Sequence, residues 1–244
     1  MTGMTIQYAG NRTSMATLSE LLTNMPADRQ PVAVAVSALA AVAADLSATI
    51  RRADATAQLG AVRGSANADG DDQKKLDVLA DEMIASALAN CAGVAAYLSE
   101  ERNSAMGLDD GGDVIVASDP LDGSSNIDTN VSIGTIFSIL PAAGGHLQPG
   151  RNQLASGIFV YGPQTTLLVT FGDGVFAFQL AEDREFYDMG WQVKIPPETS
   201  EFAINASNSR HWRASVSRYI SDCLAGVDGR RKRCLLYTSP SPRD

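Results

Sequence analysis

Two carboxylates three residues apart, Asp119 and Asp122, open the segment Asp119-Pro120-Leu121-Asp122-Gly123-Ser124-Ser125. With the Leu121 carbonyl between them they make a compact set of oxygen donors, the ligand type that hard divalent cations take. Gly123 frees the backbone after them, and the amides of Gly123, Ser124 and Ser125 can turn together onto an anion. One loop therefore carries ligands for a cation and donors for a phosphate. Four further carboxylates are candidates to join it: Asp71 and Asp77 at a helix start, and Glu100 and Glu101 after a strand. Six carboxylates brought together repel one another unless cations stand between them. Two magnesium ions about 3.5–4 Å apart would neutralise them and clamp the attacking and leaving oxygens of a phosphoryl group. Taken singly, Asp71, Asp72, Asp109 and Asp110 read as solvated surface acids. Glu100, Asp119 and Asp122 each follow an apolar strand, where that reading is weaker.

The elements that must position these groups follow from periodicity. Helix is expected from Pro31 to about Leu59 and from Lys74 to about Asn90, where Leu76, Leu79, Met83, Ile84, Ala87 and Leu88 recur at three- and four-residue spacing. Gly60 to Gly70 reads as a mobile loop, and Gly70-Asp71-Asp72-Gln73 places acids at the positive end of the second helix. Strands are expected at Val94–Leu98, Val114–Ala117, Ile133–Leu140, Ser156–Tyr161, Thr166–Phe171 and Val175–Leu180. Gly172-Asp173-Gly174 would turn a hairpin between the last two. Pro120 is expected to stop its strand, leaving Asp119 at a strand's C-terminal end, where open sheets hold ligands. Helices followed by a block of strands predict a layered α+β architecture rather than strict βαβ alternation. After Gly190 the signals weaken to a strand end at Phe202-Ala203-Ile204-Asn205 and a helix over Trp212 to Ala225.

Composition narrows the functional classes. The formal net charge of −9 over 244 residues argues against nucleic acid as a partner, since a phosphate backbone demands clustered Lys and Arg. Cys91, Cys223 and Cys234 are odd in number and lack metal-ligand spacing, which fits a reducing compartment. No secretory pattern opens the chain, so the cytoplasm is the expected location. The most apolar run, Val32 to Ala44, is shorter than the roughly 20 residues of a membrane span and reads as a buried helix, so no membrane partner is expected. A serine nucleophile at Ser124 or Ser125 would need an activating base. The only histidines are His146, in a Gly-rich loop, and His211, and no GxSxG elbow exists.

Taken in order, Gly70-Asp71-Asp72-Gln73-Lys74-Lys75-Leu76-Asp77-Val78, Leu98-Ser99-Glu100-Glu101, Asp119 to Asp128, Val131 to Phe137 and Leu147 to Asn152 resemble segments of the class I fructose-1,6-bisphosphatases. These belong to the wider group of magnesium-dependent sugar and inositol phosphatases. The likeness extends over roughly Thr17 to Gly229. It implies a layered α/β/α/β/α sandwich with its second half incomplete. The expected parts are a metal- and phosphate-binding domain over 1–200, the start of a truncated carboxy-terminal domain over 201–229, and an unrelated disordered tail over 230–244. By resemblance, Asp71, Glu100, Asp119, Asp122 and the Leu121 carbonyl bind magnesium, two or more ions per site, or manganese. Asp77 and Glu101 orient and deprotonate the attacking water. Asp122, Gly123, Ser124 and Ser125 hold the phosphate being removed, and Asn205 contacts the distal phosphate of the sugar bisphosphate. The implied reaction releases the 1-phosphate of fructose 1,6-bisphosphate. Sedoheptulose 1,7-bisphosphatase or inositol-phosphate phosphatase is the alternative within the class, and an inactive metal- and phosphate-binding fragment the alternative outside it. The family's full-length form implies a homotetramer. The likeness stops near Gly229, before a further metal-binding glutamate, tyrosines, a lysine and an intersubunit arginine of the family.

Overall fold

Leu76, Ala80, Ile84 and Leu88 recur every fourth position and are all buried, which is the stripe a helix needs to lie on a sheet. They belong to α3 (Ala68–Leu88), and a longer Ala-rich stripe, including Val32, Val36, Leu39 and Leu46, builds α2 (Gln30–Arg52). A short α1 (Leu18–Thr23) is closed at its start by a capping box: Thr17 Oγ1 accepts from the Glu20 amide and Glu20 Oε2 from the Thr17 amide, each at 3.1 Å. The computed structural model describes residues 7–8, 16–52, 68–127, 130–194, 197, 201–204, 206, 208–225 and 234–237. The chain divides into two units, one spanning Gln7–Val193 and the other taking in the residues from Lys194 onward.

The first unit is built on a nine-stranded sheet. Its strands are β1 (Gln7–Tyr8), β2 (Val94–Ser99), β3 (Met106–Gly107), β4 (Val114–Asp122), β5 (Ile133–Pro141), β6 (Ala155–Tyr161), β7 (Thr165–Thr170), β8 (Val175–Leu180) and β9 (Phe186–Gln192), in the order β1-β9-β8-β7-β6-β5-β4-β2-β3. Only β2 and β4 run parallel; every other pair is antiparallel. Alternate residues Phe137, Ile139, Phe159, Leu167 and Val169 are buried in one core cluster with α1, α2 and α3, so these helices cover one face. The second unit holds β10 (Glu201–Ala203), α4 (Ala214–Leu224) and β11 (Cys234–Tyr237), with β10 and β11 paired in parallel.

Several expectations need correction. Helix α3 starts at Ala68, six residues before Lys74, because a polar first turn carries no apolar stripe to reveal it; Asp77 is therefore mid-helix. Residues 60–67 lie outside the described residues. Strand β4 does not stop at Pro120 but runs on to Asp122. The ladder to β5 bulges there, so the proline's missing N–H leaves no partner unsatisfied. The first unit ends at Val193. Within 230–244, only Cys234–Tyr237 is among the described residues, and it forms β11, as its apolar and aromatic residues favour. Strands β1, β3 and β9 carried no clear signal. With the preceding turn, α2 covers Ala27–Arg52, and its most apolar 18-residue window has a mean hydropathy of 1.8, so that by length and composition alone it could cross a membrane. The run Val32–Ala44 is the buried helix expected, with Val32, Val36, Leu39 and Ala43 in the core. Cys91 and Cys223 are buried and free, and His146 and His211 are exposed.

Candidate functional site

The bulge in β4 decides where the two aspartates go. Asp119 pairs with Ile136 and Asp122 with Gly134 on β5, so Pro120 and Leu121 together oppose the single residue Thr135. In a regular strand, residues three apart point to opposite faces. One extra residue restores the phase and puts Asp119 and Asp122 on the same face. The Leu121 amide donates to Asp119 Oδ1 at 3.1 Å, and the Leu121 side chain is buried. Gly123 then takes φ +79°, which a glycine adopts without a Cβ penalty, and Ser124–Asn126 form a single 3₁₀ turn.

The remaining acids arrive from α3 and from the turn after β2. Ser124 Oγ donates to Asp77 Oδ2 at 3.0 Å, which ties the phosphate-loop candidate to the helix rather than to an imidazole base. The Glu100 amide donates to the Ser118 carbonyl at 3.1 Å and extends the parallel β2–β4 pairing into the turn. Burial raises the Asp77 carboxyl above its usual range, Ser124 partly offsets this, and the charges of Glu101 and Glu100 raise it again. Burial, then the charge and hydrogen bonding of Glu100, then the charge of Asp122, push Asp119 up to about 7. Asp77, Glu100, Glu101, Asp119 and Asp122 thus share one electrostatic neighbourhood at the C-terminal ends of β2 and β4. Among the described residues, no three such side chains close around a single point as ligands around an ion do. Asp71 lies in the first turns of α3, but its side chain, that of Ser125, and Asn205 lie outside the described residues.

An open cleft of about 330 Å³ adjoins these acids, lined by Leu98, Glu100, Ala117, Asp119, Ile136 and Ser138 among others. That size suits a small molecule. Beneath it lies a polar network that the sequence reading missed. Tyr97, on β2 and wholly buried, donates to Asp81 Oδ1 at 3.0 Å and has Ser118 Oγ at 2.8 Å. A phenol has one hydrogen, so Ser118 is the donor to Tyr97. Arg102 Nη2 closes on Asp81 Oδ2 at 2.7 Å, and its guanidinium carbon lies 6.0 Å from the Tyr97 ring centroid. Burial pushes the Tyr97 hydroxyl up to about 12. The only available signal for Asp81 was its place one turn after Asp77 on the same helix.

A mixed sheet covered by helices, with oxygen donors gathered where its two parallel strands end, defines an α+β sandwich of the sugar-phosphatase type. The chain belongs to the fructose-1,6-bisphosphatase family: the family model described as "Fructose-1-6-bisphosphatase, N-terminal domain" matches residues 17–189. It is 49% identical over 209 residues to the class 1 fructose-1,6-bisphosphatase of Rhodopseudomonas palustris strain BisB18, covering 84% of this chain and 60% of that one. Against the class 1 enzyme of Paracoccus denitrificans strain Pd 1222, identity is 50% over 204 residues, with 82% and 60% covered. The solved holo form of Leishmania major fructose-1,6-bisphosphatase superposes with a TM-score of 0.77 at 26% identity, covering 92% of this chain and 70% of that one. The chain thus spans about 60% of the length of the curated relatives it matches.

Proposed function

We propose that this chain supplies the metal- and phosphate-binding part of an enzyme that hydrolyses the 1-phosphate of fructose 1,6-bisphosphate in the cytoplasm. The observation that supports the reading is that Asp77, Glu100, Glu101, Asp119 and Asp122, from three elements, lie near enough around the C-terminal ends of β2 and β4 to act on one another's charge, in a member of this family. The donors suit magnesium or manganese: all are hard oxygens, and a carboxyl held up at about 7 by burial and by its acidic neighbours marks a charge excess that cations relieve. Asp71, Glu100, Asp119, Asp122 and the Leu121 carbonyl would hold the ions. When bound, they supply Lewis-acid polarisation of the phosphoryl oxygens and make water acidic enough to attack near neutral pH.

The chain's own groups do the rest. Asp77, its proton affinity raised first by burial and then by the charges of Glu101 and Glu100, would accept the water's proton, and Glu101 beside it would orient the water. The amides of Gly123, Ser124 and Ser125 would receive the phosphate oxygens, while the Ser124 hydroxyl, its one hydrogen spent on Asp77, holds the loop to α3. Water oxygen bonds to phosphorus as the bond to the C1 oxygen breaks, and the C1 oxygen takes up a proton from solvent, giving fructose 6-phosphate and inorganic phosphate. Asn205 would meet the distal phosphate.

The test is phosphate release from fructose 1,6-bisphosphate by the 244-residue chain with magnesium, beside Asp122→Ala. The wild type should turn over in a magnesium-dependent manner, and the variant should lose at least about 100-fold with its melting temperature kept, because a ligand rather than core volume is removed. Full turnover by Asp122→Ala would sink the assignment. Sedoheptulose 1,7-bisphosphate and inositol phosphates belong in the same panel. A second reading, metal and phosphate binding without turnover, is supported by the share of its relatives that the chain spans. Calorimetry with magnesium and substrate beside the phosphate-release assay separates the two: heat of binding without released phosphate supports the second, and robust turnover refutes it.

A further inference from the structure

Thr135 is the one residue of β5 opposite the bulge, and it is 2% exposed. Its Oγ1 donates to the Pro120 carbonyl at 2.8 Å, and Tyr161 Oη lies 2.8 Å from Thr135 Oγ1. Hydrogen counting fixes the direction of both bonds. A threonine hydroxyl carries one hydrogen, spent on Pro120, so the Tyr161 hydroxyl donates to Thr135. Tyr161, on β6, is 5% exposed, so water cannot replace either partner. The chain Tyr161–Thr135–Pro120 thus reaches across three strands to the carbonyl between Asp119 and Leu121.

That carbonyl is the one a regular ladder would not leave in place. A bulge breaks the pairing at Pro120 and Leu121, and proline offers no amide to restore it, so the side chain of Thr135 supplies the missing donor. We infer that Thr135, held by Tyr161, is the positioning residue of the site: it pins the bulge that brings Asp119 and Asp122 to one face and sets the Leu121 peptide between them. It touches neither metal nor substrate and acts only through the strand. The inference rests on the metal-dependent reading above.

Manganese binding to the full chain, followed by the electron paramagnetic resonance of free Mn²⁺, tests it without turnover. Thr135→Val keeps the shape and removes the hydroxyl; Thr135→Ser keeps the hydroxyl; Tyr161→Phe removes the second bond only. Thr135→Val should bind Mn²⁺ at least about tenfold more weakly than wild type, in the range seen when groups behind a metal ligand are lost. Thr135→Ser should restore affinity to within about threefold, and Tyr161→Phe should fall between them. Melting temperatures in chelator are measured alongside. A Thr135→Val protein that is less stable yet binds Mn²⁺ like wild type overturns the inference and leaves the metal-dependent reading standing. Equal losses in Thr135→Ser and Thr135→Val also overturn it, since the hydroxyl would not be the cause. A wild type that binds no Mn²⁺ overturns the metal reading and the inference together. Should Thr135→Val fail to fold, Tyr161→Phe decides by the same comparison.

Discussion

Asp81→Ala should be among the more costly single changes available near the site, although Asp81 is not among the proposed ligands. Asp81 is 7% exposed as a side chain and is bonded on both oxygens, to Arg102 at 2.7 Å and to the Tyr97 hydroxyl at 3.0 Å. Truncating it strands a guanidinium that already has its buried Nε without a partner, and takes the acceptor from a wholly buried phenol. Losing one member of a buried ion pair costs about 3–5 kcal/mol. The Arg102 side chain is 30% exposed, so solvent screens part of the charge left behind and about 2–3 kcal/mol is the better figure. The orphaned Tyr97 hydroxyl adds about 1 kcal/mol. The sum, about 3–4 kcal/mol, corresponds to a fall in melting temperature of about 10 °C for a chain of this size. Replacing both charges at once, Asp81→Leu with Arg102→Met, should cost only about 1 kcal/mol, because no buried charge remains unpaired. Urea denaturation of the metal-free protein, followed by far-ultraviolet circular dichroism, reads both values. A loss below about 1 kcal/mol for Asp81→Ala, or a double variant as unstable as the single one, would show the pair to be a screened surface contact and refute the reasoning.

Three further perturbations follow from the geometry. In the metal-free chain, Asp119 sits at about 7 against an ordinary 3.8, so its contribution to stability is intact below about pH 4 and is lost as pH rises through 7. Asp119→Asn should therefore be more stable than wild type at pH 8, by about 1–2 kcal/mol after allowance for partial exposure, and nearly matched at pH 4; an equal difference at both pH values would contradict this. Phe159→Ala, at a fully buried ring 5.7 Å from both the Phe137 and Phe186 rings, should lose about 3–5 kcal/mol in the same denaturation assay. Gly123→Ala, forced to φ +79° with its Cβ 3.2 Å from Asn126 Nδ2, should lose about 1–2 kcal/mol; a midpoint unchanged in urea would show that the turn relaxes freely.

What could be read from the residues alone was what depends on neighbours in sequence. The spacing of Leu76, Met83, Ile84, Ala87 and Leu88 announces α3, although Leu79, read with them, is exposed and Ala80 takes its place in the core; the apolar run before Asp119 announces β4, because burial repeats with the element's own period. The start of α3 was hidden because the sequence of its first turns, Ala68 to Lys75, carries no apolar stripe. The end of β4 was misjudged because a proline ordinarily ends pairing, and only the partner strand reveals that pairing is already suspended there. The carboxylates were legible from their type and their place after strands. Tyr97 and Thr135 were not, since each reads as an ordinary strand residue, and its hydroxyl acquires a role only from partners 15 to 26 residues away.

The same distinction explains how this strand edge can exist at all. Acids that raise one another's proton affinity lower the stability of the fold they belong to, and a flexible edge would relieve the strain by splaying apart. Here both buried hydroxyl networks lie on the helix-covered side of the sheet, Tyr97 opposite Val116 and Thr135 in line with Phe137, while Asp119 and Asp122 share the other phase of β4. The restraint is thus applied from the side that water does not reach, where a hydrogen bond cannot be traded for one to solvent. Repulsion above and directional bonding below are complementary. The carboxylates can stay crowded enough to hold cations because the carbonyl between them, and the serine before them, are tied to side chains that have nowhere else to turn.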